Sequence, residues 1–490
     1  MPTILGAGDS DTGYEIDNGL VFNGVNQWMT HTRGTATDEK LFTFSAWIKL
    51  GQAGILENGT IFGAGDDGNG YTGDMFALQT NGLIKQGDHD DSTDNHNVRT
   101  SALLRDPAAW YHVVVAADST QGTSSNRIKI YVNGTQQTDL AASTYPSQNI
   151  TFDCNTNGQV LNIGRSQNGE NHVYWDGYMA EINFIDGQQL DPSYFAENND
   201  NGIWVPKLYS GTYGNNGFFL EFQQTGTSQN SSGIGADTSG NDHHFAPTQL
   251  GSIDITSDTC TNNWCTMSNL YSDKQQGGAI TFSQGLTEIT TSYVDADYQR
   301  YPQAMSSMAV TKGKWYFEMK PSSGSDFNIG VFSPEDFASD STTNPYGGYA
   351  ATGVIYTEAG EVRQNDSTDS GHASYGTSDI VGCALDMDNN AVYFHKNNTY
   401  INSGNATSGA SKTGAFTLPT TGENGTPVTL YGFVMGEEGA SGTGTMLANF
   451  GQPPYTPSSI ENDANGFGNF EYAPPSGYFA LCTKNLAEFG

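Results

Sequence analysis

Trp-Tyr-His-Val-Val-Val at residues 110–115 and Arg-Ile-Lys-Ile-Tyr-Val-Asn-Gly at residues 127–134 decide the fold of this chain. The unbroken valine run in the first stretch predicts a strand that is covered on both faces. In the second stretch, Ile and Val alternate with Lys and Tyr, which predicts a strand with one covered face. The Asn-Gly pair at its end can take the positive φ angles of a tight hairpin turn. Together the two stretches predict sheet packed on sheet.

The same period-two alternation recurs along the chain. It is clear at residues 42–49, 178–184 and 315–320, and no stretch sustains a helical apolar period of 3.6 residues. In the second of these stretches, the alternation predicts that Tyr178, Ala180, Ile182 and Phe184 share one face and that Glu181 lies on the solvated face. The fold class is therefore predicted to be all-β, with antiparallel β-sandwich (jelly-roll) domains.

The chain has 490 residues, which is too long for one hydrophobic core. Residues 1–195 and 278–490 carry regular strand signals, and each segment predicts one sandwich. Residues 196–277 carry few strand signals but retain aromatic side chains, including a plausible strand near 217–222. This middle segment is predicted to be an ordered, loop-rich connector.

The charge balance excludes two classes of partner. Lys and Arg number 19 against 53 Asp and Glu, which gives a formal net charge of −34. Such a chain repels polyanions, so nucleic acid and anionic membranes are poor partners. The same charge would suit divalent cations, or it is simply a solvated acidic surface.

The beginning of the chain lacks the basic and apolar regions of a signal peptide, and no apolar run approaches the ~20 residues of a membrane span. We therefore expect a protein that is soluble when made and does not insert into membranes. Five Cys in an odd, widely spaced set argue against a disulfide framework. Cys260, Cys265, His243 and His244 allow a zinc site, against the alternative of ordinary buried or free thiols.

The first segment resembles the LamG/concanavalin-A-like jelly roll. The resemblance rests on Phe-Ser-Ala-Trp at 44–47, Trp-Tyr-His-Val at 110–113, Ile-Tyr-Val-Asn-Gly at 130–134, Leu-Asn-Ile-Gly-Arg at 161–165 and Asp-Gly-Tyr-Met-Ala-Glu-Ile at 176–182, which occur in the family's order. The last segment resembles a SPRY (B30.2-like) sandwich through Lys-Trp-Tyr-Phe-Glu at 314–318, Asn-Ile-Gly-Val at 328–331, Asp-Ile-Val-Gly-Cys-Ala-Leu-Asp at 379–386 and Ala-Asn-Phe-Gly at 448–451.

A narrower resemblance concerns Met-Pro-Thr-Ile-Leu-Gly at 1–6, Phe-Ile-Asp-Gly-Gln at 184–188, Trp-Val-Pro-Lys-Leu-Tyr at 204–209 and Asp-Thr-Ser-Gly-Asn-Asp at 237–242. These phrases are similar to LamG-containing structural proteins of tailed bacteriophages, especially marine ones. The resemblance implies a virion protein of the tail-fibre or appendage type, made in the host cytoplasm and in contact with other virion proteins. Fibres of this type commonly form homotrimers.

Both sandwich folds also occur in enzymes, so the catalytic residues must show whether this chain is an enzyme. Retaining glycosidases on the concanavalin-like fold carry closely spaced carboxylates on one strand, and their chemistry needs two carboxyl groups ~5 Å apart. No Glu-x-Asp-x-x-Glu cluster occurs in the sequence. We therefore predict a protein without catalysis, with a polysaccharide depolymerase as the remote alternative.

Sugar binding needs aromatic faces beside amide and carboxylate groups. In the first segment the candidate loop residues are His89, Asp91, His172, Tyr174 and Trp175. Tyr174 and Trp175 could equally pack on the sandwich or at a subunit contact. In the last segment the candidates lie in loops of the type that SPRY domains use for protein contacts: Tyr346, Tyr349, His372 and Tyr375.

LamG relatives often hold calcium with loop carboxylates, and calcium prefers oxygen ligands. The acidic loop of the first segment offers Asp66, Asp67, Asn69 and Asp74 for such a site. The predicted function is thus a phage virion structural protein that binds host surface polysaccharide or a neighbouring virion protein through its loops. The alternative is a capsid or tail decoration protein with no host ligand.

Overall fold

The computed structural model describes residues 13–51, 59–65, 73–79, 83–87, 96–166, 173–272, 278–293, 302–337, 351–365, 367–422, 425, 427–437 and 442–490. Within these ranges the chain is almost entirely β-structure, and the predicted all-β class is confirmed. The longer of its two α-helices covers only Thr483–Phe489, and no helix in the described part has the length and hydropathy of a membrane span.

The chain divides into two compact units, a first unit spanning Asp11–Thr261 and a second unit that contains Asn262–Gly490. The strands of the first unit are β1 (Gly19–Asn23), β2 (Trp28–Thr32), β3 (Leu41–Leu50), β4 (Gly59–Ala64), β5 (Asp74–Gln79), β6 (Leu83–Gly87), β7 (Asn97–Leu103), β8 (Trp110–Asp118), β9 (Ile128–Val132), β10 (Thr135–Gln136), β11 (Leu140–Thr144), β12 (Val160–Ile163), β13 (Asp176–Asp186), β14 (Ala196–Asn198), β15 (Trp204–Pro206), β16 (Phe218–Leu220), β17 (Ala246–Thr248) and β18 (Ile255–Thr256).

Two antiparallel sheets form the sandwich of the first unit. The order of one sheet is β10-β9-β8-β3-β13-β1-β18, with β16 also paired to β13, and the order of the other is β11-β7-β6-β5-β4-β12-β2-β17. Strands β14 and β15 make a separate two-stranded hairpin. One core cluster contains residues of both sheets, so the sheets bury their apolar faces against each other.

The two stretches that decide the fold are adjacent strands, β8 and β9. Val113 and Val115 face the core between the sheets, whereas Val114 packs with Ala116 and Tyr131 on the opposite face. The predicted burial of both faces of β8 is confirmed. The Asn-Gly turn after β9 has φ values of 46° and 78°, as a tight hairpin requires.

Strand β13 does not keep the single alternation that the sequence indicates. Its register against β3 shifts between Ala180 and Asn183, and Glu181 has a φ of 53°. This β-bulge adds one residue, so Met179 and Ile182 both face the core while Ala180 lies on the opposite side. The prediction that Ala180 and Ile182 share a face is therefore wrong. Glu181 is also not on a solvated face, because it is only 3% exposed.

The outer face of the first sheet is covered by a later part of the chain. Trp47 and Ala180 of this face are buried against Ala196, and Trp110 and Trp204 pack against the same cluster. The segment from 196 to 261 also supplies β16, β17 and β18 to the two sheets. It therefore forms part of the first unit, whereas residues 262–277 fall in the second unit.

The second unit is also built from two sheets. Its strands are β19 (Met267–Ser272), β20 (Gly278–Ser283), β21 (Glu288–Tyr293), β22 (Gln303–Val310), β23 (Lys314–Ser323), β24 (Phe327–Phe332), β25 (Val354–Thr357), β26 (Glu361–Gln364), β27 (Ser367–Ser370), β28 (Val381–Asp386), β29 (Ala391–Lys396), β30 (Thr399–Tyr400), β31 (Phe416–Thr417), β32 (Tyr431–Glu437), β33 (Gly442–Asn449) and β34 (Phe479–Ala480). Helix α1 covers Pro334–Phe337 and helix α2 covers Thr483–Phe489.

One sheet of the second unit has the order β19-β22-β32-β24-β25-β26-β27, and the other has the order β20-β21-β33-β23-β28-β29-β30. Strand β34 pairs in parallel with β23, and the remaining pairings are antiparallel. Trp315, Phe317 and Met319 of β23 all enter the core between the sheets, which confirms the alternation seen in the sequence.

Candidate functional site

A half-buried aromatic group on the outer face of the second sheet is the best candidate site of the first unit. The ring centroids of Trp28 and Tyr174 are 5.8 Å apart, with the ring planes inclined at 47°. The guanidinium carbon of Arg165 lies 4.1 Å from the centroid of the Trp28 ring. We call Trp28, Arg165 and Tyr174 the aromatic–arginine surface.

Strand geometry explains why these side chains point outwards. Met29 and Trp175, the neighbours of Trp28 and Tyr174 in sequence, are both fully buried in the core. Successive side chains in extended chain point to opposite faces, so Trp28 and Tyr174 turn away from the core. Arg165 and Tyr174 then meet across an isolated antiparallel bridge.

A glycine places Arg165 beside Trp28. Gly164 has a φ of +87°, and a Cβ atom at this position would lie 2.6 Å from the Phe22 ring. Beyond it, the backbone amide of Ser166 donates to the carbonyl of Val173, next to the bridge between Arg165 and Tyr174. The tight turn at residue 164 therefore holds the guanidinium over the indole.

The electrostatic character of this surface is unusual for so acidic a chain. Partial burial lowers the pKa of Arg165, but a guanidinium remains charged at physiological pH. Its Nε donates to the Oδ1 atom of Asn162 over 3.3 Å, which orients the group. The arrangement can stack a sugar ring on an aromatic face and donate hydrogen bonds to its hydroxyls.

The sugar-binding residues that the sequence predicts in this unit lie in different environments. Tyr174 belongs to the aromatic–arginine surface. Trp175 is fully buried in the core, so it packs inside the sandwich and the prediction that it contacts a ligand is wrong. His89, Asp91 and His172 lie outside the described residues.

The structure describes one of the four predicted calcium ligands, Asp74. Asp66, Asp67 and Asn69 lie outside the described residues. Asp74 is buried, its Oδ2 accepts the amide of Cys154 over 3.1 Å, and its Oδ1 lies 3.2 Å from Nε2 of His96. Since protein groups already contact both of its carboxylate oxygens, Asp74 makes a poor anchor for an ion, and calcium stays a prediction.

An open cavity of about 570 Å³ lies in the second unit. Its lining includes His372, Lys396, Asn397, Tyr400, Asn402 and Ser403. These residues come from the loop after β27, the end of β29, the turn after it, β30 and the 3-10 helix that follows β30. We call this feature the second-unit cavity.

Two residues of the second-unit cavity lie next to carboxylates. Nζ of Lys396 lies 3.1 Å from Oδ2 of Asp379 and donates to the carbonyl of Ser374 over 2.9 Å. Nε2 of His372 lies 3.3 Å from Oδ2 of Asp369. Burial raises the pKa of Tyr400, so its hydroxyl stays protonated and available as a donor. The cavity therefore offers amide and hydroxyl groups and little net charge.

Of the two second-unit candidates that the structure describes, His372 lines this cavity and Tyr375 does not. Tyr375 is 5% exposed, and its hydroxyl donates to the carbonyls of Phe327 and Tyr356 over 3.0 and 2.9 Å. Its predicted contact with a partner is therefore corrected to a structural role. Tyr346 and Tyr349 lie outside the described residues.

The residues considered for zinc are not gathered into a site. The five cysteines, all within the described ranges, form no disulfide, and Cys265 lies in the core of the second unit. In the first unit, Nε2 of His243 lies 2.6 Å from the carbonyl of Asn215, and Nδ1 of His244 accepts the amide of Asp237. In the described ranges, no group of three His, Cys, Asp or Glu side chains is placed to hold a metal ion.

Sequence reasoning missed Trp28 and Arg165. The apolar Met29 beside Trp28 is typical of a strand, and Gly164 before Arg165 is typical of a turn. The local structure at each residue could therefore have been inferred. The sequence carries no signal that β2 and the end of β12 are neighbours, and this pairing is what brings the two side chains together.

Family models match a part of each unit. Residues 23–192 match the family model of the concanavalin A-like lectin/glucanases superfamily, and residues 314–420 match the SPRY domain model. No curated protein matches the chain.

Several solved structures are similar at low identity. A heptameric SAP-like pentraxin from Limulus polyphemus is 16% identical, with 36% of this chain and 78% of that chain covered and a TM-score of 0.27. A human SPRY domain is 16% identical, with coverage of 35% and 96% and a TM-score of 0.25. The SPRY domain of human HERC1 is 14% identical, with coverage of 32% and 86% and a TM-score of 0.23. On the strength of the two family models, the chain contains a concanavalin A-like (LamG) domain followed by a SPRY domain.

Proposed function

We propose that this chain is a non-catalytic binding protein whose first unit binds host surface polysaccharide through the aromatic–arginine surface. The observation that carries the proposal is the stack of Arg165 on Trp28 beside the Tyr174 ring, half-buried where β2 meets the isolated bridge between Arg165 and Tyr174. Trp28 lies on β2, and binding residues on strands are held more precisely than those on loops. A pyranose ring would stack its C–H groups on the aromatic faces, and Arg165 would donate to its hydroxyls.

The absence of catalysis in this proposal is supported by the position of Glu181. This carboxyl group is the best strand carboxylate in the sequence, but the bulge and the covering segment leave it 3% exposed. Its oxygens face the hydroxyl of Tyr14 at 3.1 and 3.0 Å. A substrate in an open groove could not reach it.

We also propose that the protein is a surface component of a tailed-phage virion, of the tail-fibre or appendage type and in homotrimers. The support is the resemblance of residues 1–6, 184–188, 204–209 and 237–242 to phage structural proteins. Electron microscopy of antibody-labelled particles would locate it. Labelling of the tail tip is expected, and absence of the protein from purified particles would contradict this part of the proposal.

A specific observation favours the rival function, a decoration protein that binds only its virion neighbours. Large apolar side chains are exposed around the hairpin of β14 and β15: Tyr194 is 49%, Ile203 is 51% and Leu208 is 48% exposed. Exposed apolar groups of this kind mark protein contacts when they cluster. Under the rival function, this hairpin binds the particle and the aromatic–arginine surface has no ligand.

One experiment separates the two functions. Purified protein is applied to an array of bacterial polysaccharides and to purified particles that lack it, together with the variants Trp28→Ala and Tyr194→Ala. Glycan binding predicts that Trp28→Ala loses the array signal and that Tyr194→Ala keeps it. The rival function predicts no array signal for any variant, and loss of particle binding in Tyr194→Ala only.

A further inference from the structure

Lys49 and Asp258 form a completely buried ion pair in the first unit. Nζ of Lys49 lies 2.7 Å from Oδ2 of Asp258, and the side chains are 0% and 1% exposed. Lys49 lies on β3 in the middle of the first sheet, and Asp258 follows β18 at the edge of that sheet. More than two hundred residues therefore separate the partners in sequence.

The register of three neighbouring strands places aromatic side chains around this ion pair. Lys49 lies opposite Trp110 of β8 and opposite Tyr178 of β13, so the three side chains share one face of the sheet. Nζ is 5.3 Å from the centroid of the Tyr178 ring, and the rings of Trp110 and Tyr178 meet edge to face at 6.0 Å. The amine and the carboxyl group are thus held in an aromatic pocket with little contact with water.

The second oxygen of Asp258 has its own donor. Nε1 of Trp110 donates to Oδ1 of Asp258 over 2.9 Å, while Nζ of Lys49 contacts Oδ2. The Lys49 amine therefore lies on one side of the carboxyl group, at Oδ2, and the Trp110 N–H points at Oδ1 on the other side. An acyl transfer needs this pair of contacts, a nucleophile at the carbon and a donor where negative charge develops.

We propose that Lys49 and Asp258 join in an isopeptide bond, so that the folded first unit acquires an internal covalent cross-link. A proton moves from the Lys49 ammonium to Oδ2, which gives a neutral amine and a carboxylic acid. The amine lone pair attacks Cγ, and the Cγ–Oδ1 double bond opens to an oxyanion that Trp110 stabilises. The added nitrogen returns a proton to the Oδ2 hydroxyl, the Cγ–Oδ2 bond breaks, and water leaves while the amide forms.

The pocket favours the attack of the amine on the carboxyl group, because Nζ of Lys49 is held 2.7 Å from Oδ2 of Asp258 and both side chains are buried. Fixed contact between the reacting groups replaces a bimolecular encounter. No oxidant or co-reactant is needed, because the only product besides the amide is water.

A second lysine–aspartate pair serves as an internal comparison. Nζ of Lys314 lies 3.0 Å from Oδ2 of Asp386 in the second unit, but the lysine side chain is 23% exposed. Water reaches this amine, so we expect no cross-link at this position. The two pairs separate the effect of burial from that of proximity.

The test is the intact mass of the full chain after denaturation, followed by peptide mapping. We expect a mass lower by one water than the sequence requires, and a cross-linked peptide that joins Lys49 to Asp258, with Lys314 and Asp386 in unmodified peptides. Lys49→Arg, which keeps the charge, should restore the full mass. Trp110→Phe keeps the aromatic wall and removes the donor, so freshly purified protein should contain unreacted chains.

Two results would overturn the proposal. One is a wild-type mass equal to that of the linear sequence after prolonged incubation of the folded protein. The other is a loss of water that mapping places elsewhere or that persists in Lys49→Arg. Because the wild-type measurement stands alone, a variant that fails to fold does not weaken the test.

Discussion

The hydroxyl of Tyr14 lies 3.1 and 3.0 Å from the two carboxyl oxygens of Glu181, at the point where β13 bulges. Burial raises the pKa of Glu181 to about 8 against a usual value near 4.5. The hydrogen bond from Tyr14 opposes this shift but does not cancel it. The folded first unit therefore holds a carboxyl group that is protonated at neutral pH.

This protonation makes stability depend on pH. The folded pKa lies above the unfolded pKa, so the stabilisation is complete below pH ~4.5 and is lost as the pH rises towards 8. Glu181→Gln keeps the shape of the protonated acid. We expect the free energy of unfolding of the first unit to fall from pH 5 to 8 by on the order of 3 kcal/mol more in the wild type than in the variant.

Urea denaturation at the two pH values measures this difference. The control is Glu197→Gln, which changes a carboxylate whose side chain is 56% exposed. Equal pH dependence in the wild type and in Glu181→Gln would show that Glu181 is ionised in the folded protein.

Substitution of Glu318 by Gln in the second unit should be costly, because four donors point at its carboxyl oxygens. Oε1 accepts from the Tyr316 hydroxyl and the Tyr472 amide, and Oε2 accepts from Asn449 and the Glu471 amide, all at 2.9–3.0 Å. In Glu318→Gln, either orientation of the amide points an NH₂ group at two donors. We expect a loss of about 2–4 kcal/mol in the stability of the second unit.

Thermal unfolding of this variant checks the expectation. The control Glu361→Gln removes a carboxylate that contacts Arg363 at the surface, where little change is expected. A Glu318→Gln protein as stable as the control would mean that the buried network tolerates the amide.

Gly164→Ala should damage both stability and binding. The new Cβ would meet the Phe22 ring at 2.6 Å in a backbone conformation of φ +87°. Gly158→Ala is the matched control, because Gly158 has a φ of +83° and no atom within 4 Å of its added Cβ. The control should lose about 1 kcal/mol from backbone strain alone, and Gly164→Ala about 2–4 kcal/mol.

The comparison uses the midpoint of chemical unfolding for both alanine variants. Equal midpoints would show that Phe22 moves aside at little cost. A folded Gly164→Ala protein should also bind glycan more weakly than Gly158→Ala, because Arg165 follows the altered turn.

Arg165→Lys should weaken glycan binding by about tenfold while the unfolding temperature changes little. A lysine keeps the positive charge but lacks the planar group that stacks on Trp28 and donates in a fixed geometry. Titration calorimetry with the polysaccharide that gives the strongest array signal measures the change. Unaltered affinity would show that charge alone matters at this position.

Local patterns in the sequence predicted several of the central strands. The valine run of β8, the Asn-Gly turn after β9 and the alternation of β23 each follow from the geometry of extended chain, which a single sequence reveals. The faces of β13 could not be predicted past Ala180. The bulge there depends on a positive φ at Glu181, and glutamate gives no sequence signal for that conformation.

The candidate site was less predictable for a related reason. Tyr174 could be proposed because loop aromatics are common in sugar sites, but its partners Trp28 and Arg165 come from distant parts of the chain. Trp175 illustrates the converse problem. An aromatic pair in sequence necessarily sends one ring inwards and one outwards in extended chain, and the sequence alone did not say which.

The cover that residues 196–261 place on the first sheet sets the minimum length of any independent fragment. A recombinant piece cut at residue 195, near the end of the family match, would leave the indoles of Trp47 and Trp110 bare and would remove the carboxylate that faces Lys49. Such a fragment would be prone to aggregate. Expression, crystallisation or display of the lectin-like half should therefore carry the chain through Thr261.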